Sequence, residues 1–199
     1  SALAGASCDH AFNPIKPEWV WTYRNKDQAG KIKTYTERRV LSNTGFNIVA
    51  NTVGVANSSR TQEMVCLPEG HRITGQPEIS GFEITKSTIK GLTLVTDEQW
   101  QTGKTWNTLL DLEGRKGIVR GNGTIQIQYK ILGREKVTVP AGSFETWKVE
   151  VKFVMQGKLG LIAFNPPASV STNWYAENIG LVKQDSGKNG STELMSLQK

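Results

Sequence analysis

Between Gly123 and Met155 the side chains alternate with a period of two. Ile125, Ile127, Tyr129 and Ile131 interleave with Thr124, Gln126, Gln128 and Lys130. Trp147, Val149, Val151, Phe153 and Met155 interleave with Thr146, Lys148, Glu150 and Lys152. Successive side chains of a strand point to opposite faces, so each run carries one apolar and one polar face. A helix would need apolar spacings of three and four, and the frequent β-branched residues also favour strand. Gly133-Arg134 and Pro140-Ala141-Gly142-Ser143 separate these runs with turn chemistry, around a shorter strand at 135–139. The stretch predicts a strand–turn–strand–turn–strand meander with one buried face.

The same signals recur along the chain. Pro14 and Pro17 keep the start extended, because proline disfavours helix in the residue before it. Trp19, Trp21 and Tyr23 then share one face of a first strand, followed by strands at 31–41, 46–55 and 60–67. Short strands are expected at 79–85 and 89–95, an irregular stretch at 97–103, and a strand at 104–112 entered through Trp106. Asn122-Gly123 is the strongest two-residue hairpin signal in the sequence. Residues 157–167 read as a loop with apolar content, and strands at 170–175, 179–185 and 191–197 close the chain. No helix longer than two turns is predicted. About a dozen short strands point to an all-β chain. Strands of this length and spacing build a sandwich, a barrel or a strongly curved sheet. The domain division is an extended N-terminal segment at 1–17 and a single antiparallel β domain at 18–199.

A chain of 199 residues with 37% hydrophobic content suits one domain with a core of its own. No apolar run approaches the roughly 20 residues of a membrane helix, so no transmembrane segment is expected. The net charge of +6 is dispersed, with acidic residues between the lysines and arginines. That pattern reads as solvated strand faces, and it argues against nucleic acid as a partner. The two cysteines, Cys8 and Cys66, can form one disulfide, stand as separate buried thiols, or leave Cys8 as a lipid-anchored residue. Gly5 stands where a lipobox usually has Leu, against the last option. A disulfide would stabilise by about 4 kcal/mol through loop closure and would place the protein outside a reducing cytosol. The small-residue start at 1–7 reads as sequence beside a processed signal, the signal itself being absent or removed. The expected location is extracytoplasmic: secreted, periplasmic or cell-surface.

Few residues invite chemistry. Only two histidines exist, His10 and His71, and no G-x-S-x-G accompanies them. Cys8 with His10 and Cys66 with His71 match no standard zinc spacing. Residues 185–190 resemble a calcium loop but lack its acidic third position and its terminal Glu. Asp97, Glu98, Asp111 and Glu113 carry no signal that marks them as a glycosidase pair. No catalytic residue, cofactor or metal site is predicted, and the chain is read as a non-enzyme. Six tryptophans are many for this length. Trp19, Trp21, Trp106, Trp147 and Trp174, with Trp100, either fill the inside of a curved sheet or line a ligand cleft.

Four patches together resemble a known group. They are Cys8 with Pro14, Pro17 and Trp19-Val20-Trp21-Thr22-Tyr23; Gly103-Lys104-Thr105-Trp106; Val137-Thr138-Val139-Pro140-Ala141-Gly142-Ser143-Phe144; and Trp174-Tyr175-Ala176-Glu177-Asn178-Ile179-Gly180-Leu181-Val182-Lys183. On these the chain resembles a broad family of exported bacterial β proteins of unknown function, similar in fold to periplasmic lipoprotein carriers. The resemblance implies one strongly curved antiparallel sheet, half-barrel or barrel-like, and export. It implies no catalytic residues, since the matched positions are turns and core aromatics.

Two function classes follow. One is a structural or interaction protein of the envelope or exterior, self-assembling as a homo-oligomer or polymer through sheet edges and the N-terminal segment. The other is a periplasmic-type binding module that holds a lipid or other apolar ligand in the concave face. A solid interior with the N-terminal segment lodged in a neighbouring subunit would favour the first. An apolar cavity open at one end would favour the second.

Overall fold

The computed structural model describes residues 8–77, 79 and 81–199. Their strands are β1 (Val20–Asp27), β2 (Ile32–Leu41), β3 (Gly45–Thr52), β4 (Arg60–Leu67), β5 (Gly70–Ile73), β6 (Glu83–Gly91) and β7 (Leu94–Val95). They continue with β8 (Thr105–Lys116), β9 (Val119–Val139), β10 (Gly142–Leu159), β11 (Ile162–Phe164), β12 (Ser169–Ala176), β13 (Gly180–Asp185) and β14 (Gly190–Gln198). Helix is confined to two 3₁₀ turns, Asp97–Gln99 and Gly187–Asn189. The chain is all-β, as the alternation requires.

All fourteen strands belong to one antiparallel sheet, in the order β6-β8-β9-β10-β12-β13-β14-β1-β2-β3-β4-β5-β7, with β11 beside β10. Its two outermost strands, β6 and β7, are separated in the chain only by Leu92 and Thr93. The Leu92 N–H donates to Asn107 O on one side (2.9 Å), and the Thr93 N–H donates to His71 O on the other (2.7 Å). The sheet therefore curls until its ends meet on this dipeptide, without closing into a barrel.

Residues 8–17 enter the space that the curl encloses. Phe12 packs with Leu94, Val95, Trp100, Tyr129, Ile131 and Val149, which come from the end and the middle of the sheet. Hydrogen bonds to its backbone carbonyls fix the segment: Asn178 N–H donates to Ala11 O (2.7 Å), and Arg39 Nη1 donates to Pro14 O (3.0 Å). Cys8 is disulfide-bonded to Cys66 on β4, with the Cα atoms 5.2 Å apart. The small-residue start at 1–7 lies outside the described residues.

Four local expectations are corrected. Gly133-Arg134 is not a turn. Lys148 pairs with Gly133 and Val149 with Ile131, so Leu132 is an extra residue in a β-bulge, and Gly133 takes φ +148° there. The bulge shifts the alternation, which is why Val137 and Val139 pack with Trp174 and Trp21 while Ile131 packs with Trp100. The meander is thus one hairpin of 21 and 18 residues, turned at Pro140-Ala141. Asn122-Gly123 is no hairpin either. Asn122 pairs with Glu113 on one side and Lys158 on the other, and the turn falls at Gly117-Ile118. Residues 157–167, expected as a loop, continue β10 and turn at Gly160-Leu161 into β11. The strands expected at 79–85 and 89–95 are instead β6, running through Lys86-Ser87-Thr88 against β8, and the separate short β7.

Candidate functional site: a glycine-floored apolar cleft

Where β8, β9, β10 and β11 lie side by side, registered pairing sets their inward side chains in rows. Leu112, Gly123, Gly157 and Phe164 form one row, and Gly114, Gly121, Leu159 and Ile162 form the next. In the first row two glycines stand between two large side chains, so the sheet surface has a trough with no side chain on its floor. Leu110, Leu112 and Ile125 are buried beside it on the same face, with Phe153 and Met155 packed against them. The trough is part of an apolar cleft of about 300 Å³, walled by Leu112, Ile125, Met155, Ile162 and Phe164 and capped by Phe82. Lys116 and Lys158 stand among its lining residues as the charged members.

The glycines are required by close approach. A Cβ on Gly157 would fall 2.6 Å from Asn122 O, and one on Gly123 would fall 2.8 Å from Gln156 O. Gly114 and Gly121 seat the Phe82 ring, since a Cβ on either would lie 2.5 or 3.0 Å from its edge carbons. An aromatic ring laid over strand glycines restores the packing that those residues lack. Sequence reasoning passed over this cleft. The glycine content of β8–β10 was its only trace, and glycine alone does not say which residues stand beside it.

The tryptophans lie elsewhere. Trp21 is fully buried; its Nε1 donates to Ile179 O (2.8 Å), and the Arg39 guanidinium stacks 3.8 Å above the ring. Trp19 packs on Trp21 with Lys199 over its ring. Trp174 is buried between Lys148 and Lys183 and donates to Glu135 Oε2 (3.2 Å). Trp147 lies under Arg134. Trp106 stacks on Tyr129, Trp100 stacks on Phe12, and none of the six lines the apolar cleft.

The histidines come together beside the disulfide, with ring centroids 5.0 Å apart. His10 Nε2 donates to Val95 O (2.7 Å), while its Nδ1 lies 3.1 Å from Asp97 Oδ1 and 3.1 Å from the Phe12 N. Both nitrogens are engaged in holding the N-terminal segment, which leaves neither free to move a proton for a substrate. His71 is buried with Nδ1 unpartnered, and burial, followed by the neighbouring His10, pushes its pKa down to about 4. Burial also lowers the pKa of Arg39 and raises that of Glu37 on the same strand. Among the described residues no three His, Cys, Asp or Glu side chains gather as metal ligands would.

A curled open sheet, filled at its centre by its own N-terminal segment and cleft at the end of its longest strands, defines a class of β module. The DUF3108-like family model matches residues 72–199, and the chain belongs to that family. The match takes in every strand of the cleft. Two solved structures share the fold. One is a candidate exported protein with a YmcC-like fold from Bacteroides fragilis, with TM-score 0.52 and 17% identity, covering 96% of this chain and 100% of that one. The other is a candidate lipoprotein from Parabacteroides distasonis, with TM-score 0.56 and 15% identity, covering 96% and 99%. No curated protein matches the chain. Among the described residues no helix is long and apolar enough to cross a membrane.

Proposed function

We propose that this chain is an exported, non-enzymatic binding module that takes an apolar chain, such as an acyl tail, into the cleft over Gly123 and Gly157. The carrying observation is that cleft: apolar walls, a floor without side chains, and a volume of about 300 Å³ at the small end of ligand pockets. Lys116, on the same face as Leu112, suits an amphiphile whose anionic head stays at the rim. Export is supported by the Cys8–Cys66 disulfide, which persists in oxidising compartments, and by the descriptions of the two structural neighbours. Two features weigh against assembly through strand edges. The N-terminal segment occupies the chain's own interior, and the longer edge strand, β6, carries Glu83, Lys86 and Lys90, charges that discourage edge pairing.

The test is native mass spectrometry of the purified protein, then titration with a fluorescent fatty acid. Phe164 is half-exposed, so Phe164→Glu spares folding while placing a carboxylate in the cleft wall. Expected are a solvent-extractable adduct and saturable binding that the variant weakens by about 10-fold or more. A wild-type chain that binds no probe, or a variant that binds as wild type, refutes the reading.

A further inference from the structure

The two hairpin turns at the outer end of the long strands are built alike. β8 passes to β9 through Gly117-Ile118, with Lys116 paired to Val119; β10 passes to β11 through Gly160-Leu161, with Leu159 paired to Ile162. Both glycines have φ +60°, the first position of a two-residue turn that needs glycine there and leaves the second free. That second position is the most solvated in a hairpin, and polar residues ordinarily occupy it. Here it holds Ile118 and Leu161, exposed at 98% and 104%. Neither contributes to packing in the chain, so turn geometry and core formation leave both unexplained.

The two tips are tied together. Gly160 N–H donates to Arg120 O (2.8 Å), and the Val119 side chain lies against Gly160. Ile162, 74% exposed, and Val119, 42% exposed, extend the apolar end. Behind it stand Lys116, Arg120 and Lys158. Among the described residues none of these three joins an ion pair, whereas Arg115 is held by Glu83 and Lys86 by Glu113. The result is a narrow, protruding aliphatic end with a collar of free cations.

We propose that this end docks on an anionic lipid bilayer, with Ile118 and Leu161 entering the interfacial region and Lys116, Arg120 and Lys158 meeting the headgroups. Two projecting points suit a fluid interface better than a folded protein surface, which would need a matching pair of sockets. The free cations supply the charge complementarity, each Lys or Arg near such a surface adding several-fold to binding. Docking of this kind does not depend on occupancy of the cleft.

The test is flotation of the intact protein with vesicles of phosphatidylcholine alone and of phosphatidylcholine with phosphatidylglycerol, at low salt and at high salt. The expected result is binding to the anionic vesicles that falls with salt, and weaker binding to the zwitterionic ones. I118D with L161D should lower binding by about 10-fold or more, because each removes a fully exposed aliphatic from the contact. R120E should weaken binding by several-fold. The double variant should keep its urea midpoint and its binding of fluorescent fatty acid, and Phe164→Glu should still float. Flotation of the double variant at the wild-type level, or no wild-type flotation on anionic vesicles, overturns the proposal. A wild-type oligomer in sedimentation velocity that the double variant dissolves, without vesicle binding, also overturns it and assigns the tips to a protein contact. Loss of fatty-acid binding in Phe164→Glu with flotation intact separates this proposal from the cleft.

Discussion

His71 makes the stability of this protein depend on pH in a calculable way. Its ring is buried between Phe46, whose centroid lies 5.2 Å away edge-on, and His10 at 5.0 Å. Burial holds its pKa at about 4, against 6.5 for a free histidine. Between these values the unfolded chain binds the proton and the folded chain does not, so stability rises with pH. The contribution is complete above pH 6.5 and is lost progressively as the pH falls towards 4. Worked through the linkage relation, acidification from pH 7.5 to 5 costs about 2 kcal/mol, and the full loss below pH 4 is about 3 kcal/mol. The groups around the ring are His10, with Asp97 beyond it, and Arg39. Each of them also acts in a His71→Phe variant, which keeps a ring against Phe46 but cannot titrate there. Urea unfolding of both proteins at pH 7.5, 6, 5 and 4 isolates the effect. The wild type should lose about 2 kcal/mol more than the variant between pH 7.5 and 5. Parallel pH profiles would refute a buried, neutral His71.

Three further outcomes follow from the packing. Replacing both cysteines, Cys8→Ser with Cys66→Ser, opens a loop of sequence separation 58 and should cost about 4 kcal/mol, read as a lower urea midpoint with an unchanged far-UV spectrum. Arg39 is buried with Nε unpartnered, and among the described residues its one hydrogen bond is to Pro14 O. Arg39→Met leaves the Pro14 carbonyl unpaired and removes the cation stacked on Trp21, so it should cost about 1–3 kcal/mol, and Trp21→Ala beneath it about 3–5 kcal/mol, both read from urea midpoints. Gly157→Ala forces a Cβ towards Asn122 O and should cost about 1–3 kcal/mol while weakening fatty-acid binding, checked by urea unfolding and the same titration.

The alternation in β9 and β10 could be read in sequence because the inward residues of these strands are apolar and most outward ones polar. The turn at Pro140-Ala141 was legible because proline fixes its own φ and glycine permits the positive φ that Gly142 takes. Asn122-Gly123 misled for the same local reason: its hairpin preference is overridden by ladders on both flanks, from Glu113 and from Lys158. Gly133 was rightly read as a residue needing unusual backbone angles, but a bulge and a turn ask the same of glycine. For the tryptophans the sequence left a filled interior and a ligand wall both open, and only tertiary packing shows Trp21 and Trp174 with cations and hydrogen-bond acceptors inside the fold.

What the sequence determined by itself is the class: strands rather than helices, most with one apolar and one polar face. These follow from side-chain period and local backbone preference, which act over a few residues. Only the tertiary structure decided that residues 8–17 fill the curl and that Gly123 and Gly157 sit side by side between Leu112 and Phe164. It also brought Ile118 and Leu161 to adjacent tips. Those facts depend on strand order and register, and pairing between distant segments is chosen by the packing of the whole sheet.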